Sequence, residues 1–226
     1  MKTRKLRLLS VLLALAMMLA LLPTAAFAET SGDYEYRIDS DGNVTITKYT
    51  GSGGAVVIPA EIGGKPVTAI GKEAFYGCSS VTAVTIPDSV ESIGEDAFSG
   101  YAEGNVKAPR ITEIKIPSGV KTIGKYAFAY CYELKTVDLN SACSLKTIED
   151  HAFHCCTELE KIDLEHAINL ETIGDAAISG NVRNGAIIGP KIEQITIPEG
   201  VKTIGTYFLA RCAKLESVTF APGSQL

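Results

Sequence analysis

One pattern of apolar and polar positions recurs along most of this chain. Each occurrence ends in a segment with apolar residues at the first, fourth and sixth places, the last two of them separated by a polar residue. That alternation is typical of a short strand with one buried face. Proline directly follows three of the segments and ends the strand there, because it has no amide hydrogen for a β-ladder. The segments are VTAVTI at 81–86, ITEIKI at 111–116, LKTVDL at 134–139, LEKIDL at 159–164, IEQITI at 192–197 and LESVTF at 215–220.

A second signature lies upstream of each strand segment. It is an isoleucine followed by glycine, or once by glutamate, with Ala-Phe or a related pair four and five residues later. Successive signatures are 23, 30, 25, 25 and 31 residues apart, and one nonapeptide recurs as IPSGVKTIG at 116–124 and IPEGVKTIG at 197–205. We expect the phenylalanines, Phe128 and Phe153 among them, to be buried between adjacent turns. The isoleucines that number units one to six are Ile70, Ile93, Ile123, Ile148, Ile173 and Ile204.

A basic unit of about 23 residues with such a strand segment falls in the range of leucine-rich repeats. One unit cannot bury its apolar face alone, so neighbouring units must stack and share a core. We therefore expect a leucine-rich-repeat solenoid of stacked short parallel strands with short helical turns. The consensus V-x-x-I-G-x-x-A-F-x-x-C-x-x-L-x-x-V, over about residues 56–226, resembles the BspA-like leucine-rich-repeat family of bacterial surfaces and some protists. The resemblance implies attachment to proteins of a host or a neighbouring cell.

The two ends of the array differ in pattern. Residues 33–50 do not fit the repeat and consist of two alternating segments around Asp41-Gly42, which predicts a β-hairpin. An array needs its first edge covered, so we interpret residues 29–55 as an N-terminal β-hairpin cap on an array at 56–226. At the other end, the sequence FAPGSQL at 220–226 resembles the start of a seventh unit.

The first 28 residues have the pattern of a secretory signal peptide. Four basic side chains precede an apolar run at 8–22, and small residues at Ala26 and Ala28 favour cleavage after Ala28. Removing the segment lowers the formal charge of −5 to −9. An acidic exported chain is a poor candidate for binding nucleic acid or anionic lipid. The sequence thus predicts a secreted or cell-surface protein with no membrane insertion after signal cleavage.

The cysteines and histidines allow three interpretations. Cys143, His151, His154, Cys155 and Cys156 are the densest group of possible metal ligands, but their spacing matches no strong zinc signature. A disulfide between Cys143 and Cys155 is a further alternative. Register favours a structural role instead, because four cysteines lie eight residues after the isoleucine of their unit and would be small buried side chains. They are Cys78, Cys131, Cys156 and Cys212.

Enzymatic signatures are weak throughout the chain. No G-x-S-x-G sequence occurs, and the segment 119–125 lacks the Ser or Thr that a phosphate-binding loop needs, since Tyr126 follows it. Cys155 and His154 are adjacent, and neighbouring side chains on a tight turn usually point apart. We predict no catalytic residues, no cofactor and no bound metal.

Two surfaces are candidates for binding an extracellular protein. The polar positions of the strand segments form an outer ladder that includes Lys115, Asp138 and Asp163, is mixed in charge and lacks aromatic residues, which favours a protein over a sugar. Two units also carry insertions at the same point, at 102–110 and 182–191. Such insertions map to one edge of a solenoid and often bind the partner, although neutral loop growth explains them too. Their basic residues are Lys107, Arg110, Arg183 and Lys191.

Two further hypotheses stay open at this point. The array could be a spacer that holds another domain away from the cell surface. Less favoured is a metal-binding protein that uses the cysteines and histidines between 143 and 156.

Overall fold

The computed structural model of the protein describes residues 28–102, 105–224 and 226. All but the last residue of the signal peptide predicted at 1–28 lies outside this part of the chain. None of the described residues forms a helix that is long and apolar enough to cross a membrane. The described chain folds into a β-solenoid of stacked turns, as the repeat pattern predicts.

Short strands make up almost all of the regular secondary structure. One 3-10 helix, Leu164–His166, is the helical element among the described residues. The strands are β1 Glu29–Ser31, β2 Tyr34–Ile38, β3 Val44–Tyr49, β4 Gly54–Val57, β5 Glu61–Ile62, β6 Lys65–Ile70, β7 Val81–Thr85, β8 Ser92–Ile93, β9 Tyr101–Ala102, β10 Asn105–Val106, β11 Glu113–Lys115, β12 Thr122–Ile123, β13 Thr136–Asp138, β14 Thr147–Ile148, β15 Lys161–Ile162, β16 Thr172–Ile173, β17 Asn181–Arg183, β18 Ala186–Ile188, β19 Gln194–Ile197, β20 Thr203–Ile204 and β21 Ser217–Phe220.

The main sheet runs through all six units along the isoleucines of the second signature. Its ten strands follow the order β1-β2-β3-β6-β8-β12-β14-β16-β20, with β5 paired to β6, and every step from β3 to β20 is parallel. Within it Ile93 is in register with Ile70 on one side and with Ile123 on the other. Sequence reasoning missed this sheet, because a strand of two residues is too short to show an alternating pattern.

The strand segments that the sequence pattern did predict form three smaller sheets. These are β4-β7, β11-β13-β15 and β19-β21, all parallel. The two breaks fall between units one and two and between units four and five. Each break therefore precedes one of the two units that carry an insertion.

Turns with a left-handed residue replace most of the expected helical turns. In every unit the third residue after the isoleucine has a positive φ, as at Tyr126 (55°) and His151 (58°). In this conformation the amide points to the next unit, so Tyr126 N–H donates to the carbonyl of Asp150 at 3.0 Å and His151 N–H donates to that of Asp175 at 2.8 Å. The remaining residues at this position are Glu73, Asp96, Ala176 and Tyr207.

A column of stacked rings fills the core. Phe128 and Phe153 are fully buried, as their register predicts, and their ring centroids lie 5.3 Å apart. Phe75 and Phe98 continue the column towards the N-terminus, and Tyr49 of β3 stacks on Phe75 at 5.0 Å. The aromatic core thus extends from the repeats into the N-terminal hairpin.

The N-terminal hairpin joins β2 to β3 through a turn closed by Asp39. The carboxylate of Asp39 accepts hydrogen bonds from the amides of Asp41 at 2.9 Å and Asn43 at 2.8 Å, and Gly42 supplies the positive φ of 86°. Because β3 pairs with β6, the hairpin adds its strands to the main sheet beside the first repeat. Whether it prevents association, as a cap would, stays a prediction.

Three of the in-register cysteines are buried and donate hydrogen bonds to the preceding unit or turn. The thiol of Cys131 lies 3.4 Å from the carbonyl oxygen of Phe98, and that of Cys156 lies 3.2 Å from the carbonyl of Phe128. Cys212 repeats the contact with Ile178 at 3.3 Å. Burial raises the pKa of all three thiols. All six cysteines are free, and Cys78 is only half-buried.

Candidate protein-binding edge

Both insertions fold into β-hairpins that leave the solenoid at the same point of the unit. The first hairpin, β9 and β10, belongs to unit two, and the second hairpin, β17 and β18, belongs to unit five. Each begins after a glycine that the returning chain approaches closely. A Cβ on Gly100 would lie 2.3 Å from the amide nitrogen of Ala108, and one on Gly180 would lie 2.4 Å from the carbonyl oxygen of Ile188. Only glycine fits at these crossings.

The second hairpin presents apolar side chains to solvent. Its turn, Asn184-Gly185, has φ of 52° and 77°, which suits the two-residue turn that matches strand twist. Val182 and Ile187 are cross-strand partners, and 47% and 58% of their surfaces are exposed. Their exposure could not be read from the insertion sequence, because an apolar pair in a loop is as compatible with burial.

The chain that returns from each hairpin is fastened by an ion pair. The amide of Arg110 donates to the carbonyl of Val81, and the amide of Lys191 donates to that of Leu159, so the two basic residues hold the same register position. Nε of Arg110 lies 2.7 Å from Oε1 of Glu133 in unit three. Nζ of Lys191 contacts Glu158 in unit four at 2.6 Å, and this hydrogen bond lowers the pKa of Glu158.

These ion pairs give Arg110 and Lys191 acidic partners within the chain, and their role in binding an external partner stays a prediction. The ion pairs connect the two hairpins to units three and four, which lie between them. Two of the four predicted partner-binding cations therefore already have an acidic partner. The register alone contained this signal, because Arg110, Glu133, Glu158 and Lys191 each immediately precede the first residue of a strand segment. Lys107 and Arg183 are exposed and have no ion pair within the described part of the chain.

The outer ladder is shorter than predicted. Lys115 and Asp138 are neighbours in register on β11 and β13. Asp163 follows the end of β15, where its carboxylate lies 3.3 Å from Nζ of Lys161 and 3.8 Å from Nδ1 of His166. The chain bends there into the 3-10 helix, so Asp163 lies beyond the paired strands.

The sulfur and imidazole groups near residue 155 form a neutral hydrogen-bonded chain. The thiol of Cys155 lies 3.3 Å from Nε2 of His154, Nδ1 of His154 lies 2.8 Å from Oγ of Ser179, and that hydroxyl donates to the carbonyl of Ala176. Burial lowers the pKa of His154 to about 4 and raises that of Cys155 to about 11. A thiolate nucleophile beside an imidazolium requires a lowered pKa of the thiol and a raised pKa of the imidazole, and both shifts here have the other direction.

The cysteines and histidines between 143 and 156 do not have the geometry of a metal site. Among the described residues, the group whose possible ligand atoms lie within 4.8 Å of one another is Asp163, Glu165 and His166. That group is largely exposed, and Lys161 already neutralises Asp163. The residues between 143 and 156 do not form such a group.

A ring cluster, defined as Tyr126, Tyr130, Tyr132, His151 and His154, covers units three and four between the two hairpins. Tyr126 and His151 stack with centroids 4.7 Å apart, while Tyr130 stands edge-on to both Tyr132 and His154 at 88°. All five are half-buried. The sequence pattern predicted a surface without aromatic residues on the strand ladder, and this cluster lies on the turns instead. We call the two hairpins and the ring cluster together the hairpin edge.

A small pocket opens where the first hairpin returns beside the ring cluster. This tyrosine pocket has a volume of about 180 Å³. Tyr130 and Tyr132 form two walls whose ring centroids lie 6.3 Å apart, and the ion pair of Arg110 and Glu133 lies at its rim. The lining residues are Ser79, Ala108, Pro109, Arg110, Tyr130, Tyr132 and Glu133.

Comparison with known proteins identifies the repeat. The family model described as the BspA type leucine rich repeat region matches residues 60–109 and 106–223, in six copies. No curated protein matches the chain.

The solved structures that are similar to the chain include two leucine-rich-repeat proteins. A leucine-rich-repeat protein of T. pallidum, TpLRR, is 27% identical, with a TM-score of 0.52 over 84% of this chain and 70% of its own. A leucine-rich-repeat protein of Eubacterium ventriosum is 20% identical, with a TM-score of 0.53 over 88% of this chain and 44% of its own.

Proposed function

The chain belongs to the BspA-type leucine-rich-repeat family, and from that premise we propose that it is an exported binding module that recognises another protein through its hairpin edge. The protein acts by association, and its role is adhesion at or near the cell surface. The apolar and basic pattern of residues 1–28 supports export. N-terminal sequencing of the secreted chain tests this directly, because cleavage after Ala28 makes Glu29 the first residue.

The observation that carries the proposal is the interruption of the repeat at two equivalent points by hairpins, the second of which exposes apolar side chains. Outside the hairpins, Ile168 at 66% is the exposed large apolar residue among the described residues of units two to five, and it stands alone on its turn. Val182 and Ile187 are both exposed and lie side by side on the second hairpin. Exposed apolar side chains that lie together mark interaction sites, whereas single scattered ones do not.

The hairpins are also suited to binding because they are held in place. The amides of Arg110 and Lys191 bond to the neighbouring unit, and their side chains form ion pairs with units three and four. A surface that is ordered before binding loses less conformational entropy when the partner arrives. Each exposed ion pair contributes little to stability, and its role here is to fix the return of the hairpin.

Charge favours an acidic or extended partner. Lys107 and Arg183 are exposed on the two hairpins of a chain with a net negative charge. A basic edge on an acidic protein steers an acidic segment to that edge and repels it from the rest of the surface.

Replacing 102–110 and 182–191 with Ser-Ser linkers tests the proposal. We expect the double replacement to keep its circular dichroism spectrum and to lose binding to the partner identified in a screen of surface proteins. The matched control is Lys107→Glu with Arg183→Glu, which keeps both hairpins and should weaken binding in a salt-dependent manner.

Unchanged affinity of the Ser-Ser variant would contradict the hairpin edge as the binding site. Loss of binding on Lys115→Glu, with the hairpins intact, would then place the site on the outer ladder of Lys115 and Asp138.

A further inference from the structure

Resting on the proposed function, we propose that the tyrosine pocket holds a proline of the partner, and that the partner segment runs across the ring cluster as an extended polyproline-type chain. The pocket is the concave point of the hairpin edge where aromatic, aliphatic and charged groups converge. Its lining comes from three units, with Ser79 from unit one, Ala108 and Pro109 from the end of the first insertion in unit two, and Tyr130 and Tyr132 from unit three.

The size of the pocket limits what can enter it. Pockets that enclose a whole small-molecule ligand measure about 300–1,000 Å³. The tyrosine pocket, at about 180 Å³, has room for one ring or one branched side chain. A partner that uses it must therefore insert a single side chain while the rest of its chain lies outside.

The polarity of the pocket favours an uncharged anchor. Arg110 and Glu133 neutralise each other at the rim, with Nε and Oε1 at 2.7 Å. A charged side chain would lose hydration on entry and find no uncompensated charge. The two perpendicular tyrosine rings, Pro109 and Ala108 offer an apolar lining instead.

Proline satisfies these limits better than other apolar residues. Its side chain loses almost no conformational entropy on burial, and a polyproline-type segment leaves its carbonyl oxygens without internal hydrogen bonds. The guanidinium of Arg110 has five N–H donors, of which Nε–H faces Glu133. Its other donors can reach a partner carbonyl at the rim. Aromatic-lined grooves are the usual receptors of such segments.

The spacing of the edge fits the same kind of segment. The hairpins lie three units apart, which is about 14–15 Å at strand spacing. A polyproline-type chain rises about 3.1 Å per residue, so about five residues span the gap between the hairpins. Along that path the segment would leave the tyrosine pocket and meet His154, which is edge-on to Tyr130 at 5.5 Å.

A titration of the mature chain, labelled with ¹⁵N, by acetylated hexaproline amide tests the inference. We expect amide resonance shifts concentrated at Tyr130, Tyr132 and the return of the first hairpin. A Gly-Ser hexapeptide of the same length should cause no shifts there, because it lacks the anchor ring. Maltohexaose serves as the probe for a sugar-binding pocket.

Four variants separate a binding role from a structural one. Tyr132→Ala should weaken hexaproline binding about tenfold, as expected for an aromatic wall, while Tyr132→Phe keeps the ring and should bind within about twofold of the unchanged chain. Tyr207→Ala is the matched control, because Tyr207 is 76% exposed in unit six, beyond the second hairpin. Arg110→Met should weaken binding independently, because it keeps the aliphatic stem and removes the rim donors.

Absence of hexaproline shifts at the pocket, shifts there with maltohexaose but not hexaproline, or full affinity of Tyr132→Ala would each overturn the inference. The Ser-Ser replacement keeps this result distinct from the proposed function. If that replacement abolishes partner binding while Tyr132→Ala does not, the hairpin edge remains the binding surface and the proline anchor is wrong.

Discussion

The two sides of the solenoid respond differently to the insertions. The main sheet passes without interruption through units two and five, with strands of only two residues in most units. The sheet of longer strand segments breaks beside both insertions. The chain therefore keeps its stacking on one side and accepts additions on the other. A repeat protein can thus acquire a binding feature without losing the continuity that makes its units fold together.

The sharpest test of the shared core is Phe128→Ala. Phe128 lies fully buried between Phe98 and Phe153, with centroids 5.0 and 5.3 Å away, so truncation leaves a cavity in the middle of the column. We expect a loss of about 3–5 kcal/mol in the free energy of unfolding, measured with urea. Tyr207→Ala, on an exposed ring, should stay within about 0.5 kcal/mol. A change under about 1 kcal/mol for Phe128→Ala would contradict the packing.

Two glycine substitutions compare the main sheet with the second hairpin. Gly124 directly follows β12 of the main sheet, and a Cβ on it would lie 2.8 Å from the backbone of Gly94, so Gly124→Ala should cost about 1–3 kcal/mol of global stability. Gly180→Ala meets the carbonyl of Ile188 even more closely, but at the base of the second hairpin, and should displace that hairpin with a smaller effect on global unfolding. Amide exchange, read unit by unit, distinguishes the two. Equal global losses would mean that the hairpin is part of the cooperative core.

Acidification should weaken the middle of the array. Burial, the nearby His151 and Arg211 lower the pKa of His154 to about 4, below its ordinary value of 6.5. The unfolded chain therefore takes up the proton first as pH falls below 6.5, and stability is lost between that pH and about 4. Allowing for solvent screening of a partly exposed group, we expect a loss of about 1 kcal/mol between pH 7 and pH 5.

Urea unfolding of the unchanged chain and of His154→Gln measures this loss. The variant should show a smaller pH dependence, while His151 keeps part of it because burial lowers its pKa as well. An equal slope in both proteins would assign the effect to other groups.

The smallest expected effect is that of removing both hairpins. Ser-Ser linkers at 102–110 and 182–191 shorten surface loops and leave the main sheet intact, so the free energy of unfolding should stay within about 1 kcal/mol. A larger loss would show that the hairpins contribute to the fold. In that case their removal could not serve as a clean test of binding.

Much of the architecture could be predicted because each unit places the same residue types at the same positions. The apolar positions of the strand segments, the buried phenylalanines and the buried Cys131, Cys156 and Cys212 all follow from one alignment of the units. The main sheet could not be predicted, since its two-residue strands owe their pairing to stacking between units and not to local pattern.

The candidate site was only partly visible in the sequence. The insertions and their basic residues were apparent, but the ion pairs of Arg110 and Lys191 required the residues before each strand segment to be compared across units. The ring cluster depends on where left-handed turns aim their side chains. Neither composition nor spacing expresses that direction.

The three buried thiols are built-in probes of local unfolding in the array. Cys131, Cys156 and Cys212 lie in units three, four and six, each hydrogen-bonded to a carbonyl of another turn, so a thiol reagent reaches them only when that turn separates. The rate at which each thiol reacts therefore measures how often the unit around it opens, without any substitution in the protein. In a one-dimensional array such openings begin most easily at an end and spread inwards. The order in which the three thiols react would show from which end the solenoid begins to unfold.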